Sequence, residues 1–377
     1  MQTYDLLALV SAIIWITILF LPWRPYSTKE ALDISSDAED TDLTDVTVII
    51  PARNESKVIH DTLWALKNQG EGLNIILVDD ESTDGTAERA KGMGIERLKV
   101  VQGSPLPNGW TGKIWALEQG LRLVDTPFTL LMDADILIKQ GMVKTLKNKM
   151  VREGWDMISL MAMLNMESFW EKLLIPSFIY FFKLLYPFSL CNKKGSPVAA
   201  AAGGCIFIKR EALRYIGGFK SIRNEIIDDC ALAKKIKKAG YSTWIGLTHS
   251  VISRRKYNGL SDIWNMVARS AFTQLKYSLL LLVLCTIMLV ASFIFPFIGL
   301  FSGSICTSLI SCLALCAMIA TYMPTIKFYG LSKAWTFTLP ISGVLYLIMT
   351  WSSAIRYYRG KRSEWKGRIY STHDVSQ

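Results

Sequence analysis

The chain has 377 residues, enough for two or three domains, and carries a net charge of +10. Its residues are 51% hydrophobic and its mean hydropathy is +0.27, which is high for a wholly soluble protein. Of seven cysteines, Cys285, Cys306, Cys312 and Cys316 sit inside apolar runs and no paired C-x-x-C occurs, which excludes a disulfide framework and points to a reducing compartment.

In chain order, residues 5–22 form the first apolar run. Asp5 is its only charge, no basic segment precedes it and no small-residue cleavage site follows, so residues 1–23 read as a retained membrane anchor rather than a signal peptide. Residues 24–45 are polar and acidic and read as a solvated linker. From 46 onward, strand and helix patterns alternate. VTVIIPA, NIILVDD, LKVVQG, FTLLMDADIL and DMISLMAML have strand character. ESKVIHDTLWALKNQ, TAERAKGM, IWALEQGLRLV and MVKTLKNKMVREG have helical spacing. The alternation predicts an α/β domain over 46–277 with a mostly parallel, Rossmann-like sheet. Two stretches, 168–190 and 259–277, are aromatic and amphipathic and read as interfacial helices. Glu171, Lys172, Pro176 and Lys183 make the first a poor span. Three further apolar runs occupy 278–356, each approaching the ~20 residues that cross a bilayer. A basic, cytoplasmic-like tail follows over 357–377. Beside membrane spans, the basic clusters at 254–256 and 356–368 fit anionic lipid headgroups better than nucleic acid.

In a parallel sheet, ligands bind at the carboxyl ends of the strands. Four polar clusters fall there: PARNE (51–55), DDESTDGT (79–86), NGWTGK (108–113) and DAD (133–135). The last is the most informative. On a regular strand Asp133 and Asp135 point the same way, and two like charges on one face repel unless a cation compensates. Mg²⁺ or Mn²⁺ binds such carboxylates and shares the site with phosphates. The alternative is a strand end whose acids point into water, and the coincidence of four clusters on one edge argues against it.

The other clusters each have two readings. Asp79 and Asp80, with Asp84, are placed either to cap the helix at Thr86 or to hydrogen-bond a nucleoside. Lys113 is a cation beside phosphates or a solvated lysine at a helix start. The six small residues at 199–204 allow close approach of a ligand or tight packing under a loop. Asp228 and Asp229 open an amphipathic helix, where the helix dipole stabilises acids, and a carboxylate there is also placed to act as a general base. Neither a G-x-x-x-x-G-K-[ST] loop nor a G-x-G-x-x-G fingerprint is present.

Taken together, PARNE, LVDDESTDGT, the GK of TGKIWAL, DADI, the GGC stretch and IDDCAL resemble, in that order, the family 2 inverting glycosyltransferases of GT-A fold. QGSPLPNGWTGK, SLMAMLNMESFWEKLLIPSFIYFF, AAAAGGC, DIWNMVARSAFTQLKYS and the terminal WKGR are closest to the bacterial hopene-associated glycosyltransferases. Ceramide glucosyltransferases and carotenoid glycosyltransferases are more distantly similar. The resemblance implies that Asp133 and Asp135 bind metal and diphosphate, and that Ala52, Asn54, Glu55, Asp80 and Asp79 bind the nucleoside. It further implies that Lys113 contacts the donor, that Gly203, Gly204 and Cys205 lie near sugar and acceptor, and that Asp229 or Asp228 is the catalytic base. Arg269 is the nearest counterpart of the family's Gln-x-x-Arg-Trp arginine. No Trp follows it, which argues for transfer of a single sugar rather than a polymer. The resemblance implies a nucleotide-sugar donor, a lipid acceptor, a divalent cation and a multi-pass protein of the inner cell membrane with its catalytic domain in the cytoplasm.

Three rivals predict different behaviour: a polyprenyl-phosphate glycosyltransferase, whose anionic acceptor needs no base, a non-catalytic nucleotide-sugar-binding membrane protein, and a polymerase. Four full crossings would put the basic C-terminus outside, against the positive-inside tendency, and Pro296 marks a segment that could be re-entrant.

Overall fold

The computed structural model describes residues 3–34 and 42–371, so residues 35–41 of the expected linker and the last six of the tail lie outside the described residues. Two compact units are present. One is helical and comprises residues 1–29, 166–189 and 257–363; the other is α/β and comprises 30–165, 190–256 and 364–377.

The α/β unit is built on an eight-stranded sheet. Its strands are β1 (Val46–Ala52), β2 (Asn74–Asp79), β3 (Leu98–Gln102), β4 (Phe128–Met132), β5 (Ile136–Ile138), β6 (Met157–Met163), β7 (Cys205–Lys209) and β8 (Thr243–Ser253), in the order β3-β2-β1-β4-β7-β6-β8-β5. β1, β2, β3 and β4 are mutually parallel, as are β6 and β8; β7 runs antiparallel to both β4 and β6, and β5 to β8. β1 is buried along its whole length because both faces are covered. Val48 and Ile50 enter one apolar cluster, with Leu63 and Leu146 from the helices Ile59–Lys67 and Met142–Glu153. Ile49 enters the opposite cluster with Ile114, Leu117 and Leu232. Those three side chains come from the helices Gly112–Leu121 and Asp228–Lys238, which carry the site's lysine and acid pair. A Cβ on Gly120 would come within 2.5 Å of Ile49 Cγ2, so this glycine lets the lysine helix press against β1.

The sequence pattern FTLLMDADIL reads as one strand, but the structure breaks it into two. β4 stops at Met132, residues 133–135 turn, and β5 resumes at the far edge of the sheet. The two aspartates therefore do not share the face of a regular strand. Residues 30–34 of the linker are exposed or half-buried, but they are tied to β8 rather than free. Ala31 bridges to Leu247 on β8, and Leu247 N–H donates to Glu30 O at 2.8 Å. Asp33 accepts from the His249 N–H at 2.6 Å and from the Thr248 and Ser250 hydroxyls at 2.9 Å each. Although burial opposes ionisation, these bonds together hold its carboxyl down at about 2.

In the helical unit, Thr3–Phe20 is apolar, and three later stretches are long and apolar enough to cross a membrane: Leu279–Leu300, Ile305–Phe328 and Lys333–Tyr358. The first contains a break at Ile294, beside Pro296, between the helices Leu279–Phe293 and Phe295–Leu300. Trp15, Tyr180, Phe293, Met318 and Tyr322 form the unit's core. The helix Phe169–Leu185 contributes Tyr180, and two of the three charges that interrupt its apolar run, Glu171 and Lys183, point inward while Lys172 is half-exposed. Lys183 is fully buried and donates to Tyr26 O, Ser27 O and Thr325 Oγ1 at 3.1–3.2 Å. Glu171 closes a capping box with Ser168 and accepts from Tyr257 N–H at 3.0 Å. For Glu171 and Lys183 the cause of the interruption is thus internal pairing, not a charged face turned to water. Leu260–Ala268 buries Ile263 and Val267, and its Trp264 donates to Ser352 Oγ at 3.0 Å. Arg269 follows at the end of that helix, where its N–H donates to Asn265 O.

Candidate active site

The turn at 133–135 is pinned through its backbone. Asp133 N–H donates to Gly204 O at 3.2 Å, Ala134 O accepts from the Thr62 hydroxyl at 2.7 Å, and Asp135 O accepts from Arg254 N–H at 2.7 Å. Ala134 is buried between the two acids. The side chains of Asp133 and Asp135 are thereby fixed at the carboxyl edge of β4.

Asp133 faces Lys113, whose Nζ lies 2.8 Å from its carboxylate and 3.4 Å from Asp228. Lys113 belongs to the first turn of its helix, and Asp228 and Asp229 to the first turn of theirs. Gly203 closes the floor. A Cβ there would stand 3.1 Å from Lys113 Nζ and 3.3 Å from Asp229 Oδ2, so its bareness leaves room between cation and acid. Pro51, Leu117, Phe219 and Leu232 are among the apolar residues lining the recess around these groups.

The electrostatics follow from three acids around one lysine. Burial is the largest influence on Asp229 and repulsion by Asp228 the next; together they outweigh Lys113 and the N–H groups of Cys230 and Gly203 and push its carboxyl up to about 6. Asp133 is also raised, by burial first and with a contribution from Asp135, against the pull of Lys113. Burial alone would lower the pKa of Lys113, but the acids, led by Asp133 and Asp228, hold it well above the usual lysine range and so keep it cationic. Cys205 begins β7 as a buried thiol pushed up to about 12, which leaves it inert as a nucleophile. Gly204 has a packing reason: a Cβ would come 3.1 Å from Ile136.

Asp133 and Asp135 suit a hard divalent cation. They are oxygen donors one residue apart on a rigid turn, and their mutual repulsion is what such an ion relieves. Among the described residues no set of three His, Cys, Asp or Glu groups is placed to hold a metal. The pair therefore fits a cation that completes its shell with ligand oxygens, not one caged by protein alone.

On the β1–β2 side the loops are stitched to each other. Asn54 N–H donates to Ser82 Oγ at 3.0 Å, Thr83 N–H to Asn54 Oδ1 at 2.9 Å, Glu55 N–H to Thr86 Oγ1 at 2.9 Å, and Ser56 N–H to Asp84 Oδ2 at 3.0 Å. Asp84 also accepts from Thr86 N–H at 3.2 Å, but the N-cap of that helix is Gly85, so Asp84 closes a local turn rather than serving as the expected cap. Asn54 and Glu81 adopt left-handed backbone, φ 54° and 55°, uncommon outside glycine and a mark of functional loops. Ala52 is buried, and its carbonyl accepts from Asp80 N–H at 2.8 Å. Asp79 is buried, with Oδ2 accepting from Ser82 N–H at 3.3 Å. Asp80 is fully buried and pairs with Arg53 at 3.7 Å and Arg368 at 2.9 Å. Glu55 pairs with Lys366 at 2.6 Å.

Arg53, Lys366 and Arg368 were not among the residues expected here. The last two correct the reading of the tail as a lipid-contacting segment. The strands β9 (Lys361–Trp365) and β10 (Arg368–Ser371) form a hairpin, and its two loop residues, Lys366 and Gly367, both have positive φ (47° and 83°). That is the signature of a tight primed turn, and the K-G pair in WKGR was its signal in the sequence.

Residues 47–217 match the profile of Glycosyl transferase family 2. Two curated relatives are 4,4'-diaponeurosporenoate glycosyltransferases. That of Staphylococcus haemolyticus is 33% identical over 111 residues and that of Staphylococcus aureus 34% over 110, each match covering 29% of this chain and 29% of the relative. Among solved structures, the mannosyltransferase PcManGT from Pyrobaculum calidifontis, in complex with GDP-Man and Mn²⁺, superposes over 94% of this chain and 98% of its own. Its TM-score is 0.53 at 18% identity. The α/β unit thus has the GT-A fold, and its residues 47–217 resemble family 2 glycosyltransferases.

Proposed function

We propose that this chain is a membrane-bound inverting glycosyltransferase that moves one sugar from a nucleotide-sugar donor to the hydroxyl of a lipid, a hopanoid or other polyprenoid. The observation that carries this reading is the recess in which Asp229, with its carboxyl near 6, stands beside the Lys113–Asp133 pair on the carboxyl edge of a GT-A sheet. A base poised close to neutral pH removes a proton from a bound hydroxyl efficiently. Asp229 takes that proton, the acceptor oxygen forms its bond to the anomeric carbon, and the bond from that carbon to the nucleoside diphosphate breaks. Lys113 is the cation placed to meet the charge that collects on the leaving diphosphate. Asp133 and Asp135 would hold a divalent cation, Mg²⁺ or Mn²⁺, which supplies further neutralisation of that charge when bound. Asp228, paired with Lys113, acts by raising Asp229 rather than as the base itself. Arg269 lies in the helical unit, and the proposal gives it no role in the site.

A buried, raised Asp229 supports a hydroxyl acceptor over an anionic phosphate, which needs no base. The apolar helices support a membrane location, with the α/β unit on the cytoplasmic side. Residues 364–371 belong to the α/β unit. The chain therefore leaves that unit before its three late apolar stretches and returns to it after them, which requires an even number of crossings between. The stretch broken at Ile294 is the one that turns back. This keeps the basic C-terminus inside, as positive-inside charge favours.

The test is to incubate membranes holding the protein with a panel of radiolabelled nucleotide sugars, with and without EDTA, and to analyse the extracted lipids by mass spectrometry. The expected product is a lipid carrying one sugar, lost with EDTA. A polymeric product, or donor binding without turnover on any lipid supplied, overturns the reading.

A further inference from the structure

The C-terminal hairpin touches three of the loops that border the site. Arg368 forks between Asp80, at 2.9 Å, and Glu81. Lys366 pairs with Glu55 at 2.6 Å, and its carbonyl accepts from Arg53 Nε at 3.3 Å. Tyr370, which is buried, accepts at its hydroxyl from the N–H of Gly112 at 2.8 Å, the first residue of the helix that presents Lys113. One short segment thus ties the β1 loop, the β2 loop and the lysine helix together.

Charge explains why the loops need it. Asp80 is completely buried, and among the described residues the partners of its carboxylate are the cations Arg53 and Arg368. Among the described residues, Glu55, Asp80 and Glu81 pair with Arg53, Lys366 and Arg368. Without the hairpin, Arg53 would be the one cation among the described residues paired with these acids. An acidic rim would then face a ligand that is itself an anion, and like charge is repelled. The Gly112 N–H would also lose its partner at the end of a helix whose orientation sets Lys113.

We propose that the C-terminal hairpin is a working part of the donor site. Lys366, Arg368 and Tyr370 are positioning residues that hold the nucleoside side of the pocket shut around a nucleoside diphosphate. By linkage, a bound nucleotide holds the hairpin in place. The inference rests on the glycosyl-transfer reading, since it assumes a nucleotide ligand at this edge.

The test uses the full-length protein in detergent, titrated with UDP, GDP and TDP in the presence of Mn²⁺, and digested with trypsin, which cuts after Lys366 and Arg368. The variants are Arg368→Ala with Lys366→Ala, and Arg368→Lys. The double variant is expected to weaken the best-bound nucleotide about tenfold or more and to raise donor KM more than it lowers kcat, the size expected for lost charged contacts. Arg368→Lys is expected to recover part of the affinity, and nucleotide to slow tryptic cleavage of the wild-type hairpin. If the double variant binds as wild type does, or loses thermal stability with unchanged donor KM, the hairpin is merely structural and the inference fails while the transferase reading stands. If wild-type protein binds none of the three nucleotides, both fail.

Discussion

The two halves of the site handle charge in opposite ways. On the β1–β2 side three acids meet three cations: Glu55 pairs with Lys366, while Asp80 and Glu81 share Arg368 and Arg53. On the β4 side one lysine serves Asp133 and Asp228, and Asp229 is left raised to about 6 by burial and by its neighbour. The balanced half is built to hold shape. The unbalanced half leaves one acid raised and negative charge unmatched, which is what the proposed base and cation site need. The difference separates positioning from chemistry better than any motif does, because both halves carry equally acidic sequences.

The sharpest way to break that comparison is to neutralise one acid on the unbalanced side. Asp229→Asn is expected to lower transfer by about 10²–10⁴-fold, the usual contribution of a general base, with protein yield unchanged. The readout is initial rate at saturating donor. Activity within twofold of wild type would remove the base and revive a phosphate acceptor. Asp133→Asn is expected to lose activity comparably and to blunt the response to added Mn²⁺.

A second, smaller effect is on stability, with the opposite sign. An acid raised from 3.8 to about 6 destabilises the fold once ionised. The unfolded chain releases its proton near 3.8 and the folded one only near 6, so the cost grows across that window and is complete above it. Asp229→Asn should therefore raise Tm by a few degrees at pH 8, corresponding to about 1–3 kcal/mol, and the gain should shrink as pH falls from 6 towards 4. Differential scanning fluorimetry at several pH values checks it. A variant less stable than wild type at pH 8 would mean that Asp229 is a structural anchor.

The smallest effect lies outside both halves. Asp33 is held down at about 2, so it stabilises the fold above pH 3.8 and the contribution is lost as pH falls towards 2. The His249–Asp33 pair is more than a third exposed, so solvent screening discounts it. Asp33→Asn is expected to lower Tm at pH 7 by about 1–3 °C while leaving transfer within twofold.

Much of this was legible in the sequence, and particular residues show why. The apolar runs gave β1, β2 and β4 because a doubly covered strand needs side chains of one kind on both faces. The edge position of Asp133 and Lys113 followed, since strand ends in a parallel sheet converge; that of Asp229 did not, because it opens a helix rather than ending a strand. The break after Met132 did not, because Ile136–Ile138 is as apolar as the strand before it. The inward turn of Glu171 and Lys183 was hidden because a charge in an apolar helix reads the same whether it faces water or a carbonyl.

The sequence by itself determined the sheet, the apolar helices and the set of acids at the strand ends, since each depends on residues within one or two turns of chain. Only the tertiary structure decided which cation meets which acid. Arg368 lies 288 positions after Asp80, and Tyr370 lies 258 after Gly112. No local pattern encodes a pairing at that separation. It exists because the folded sheet brings the loops to one edge and the hairpin's turn presents its charges there.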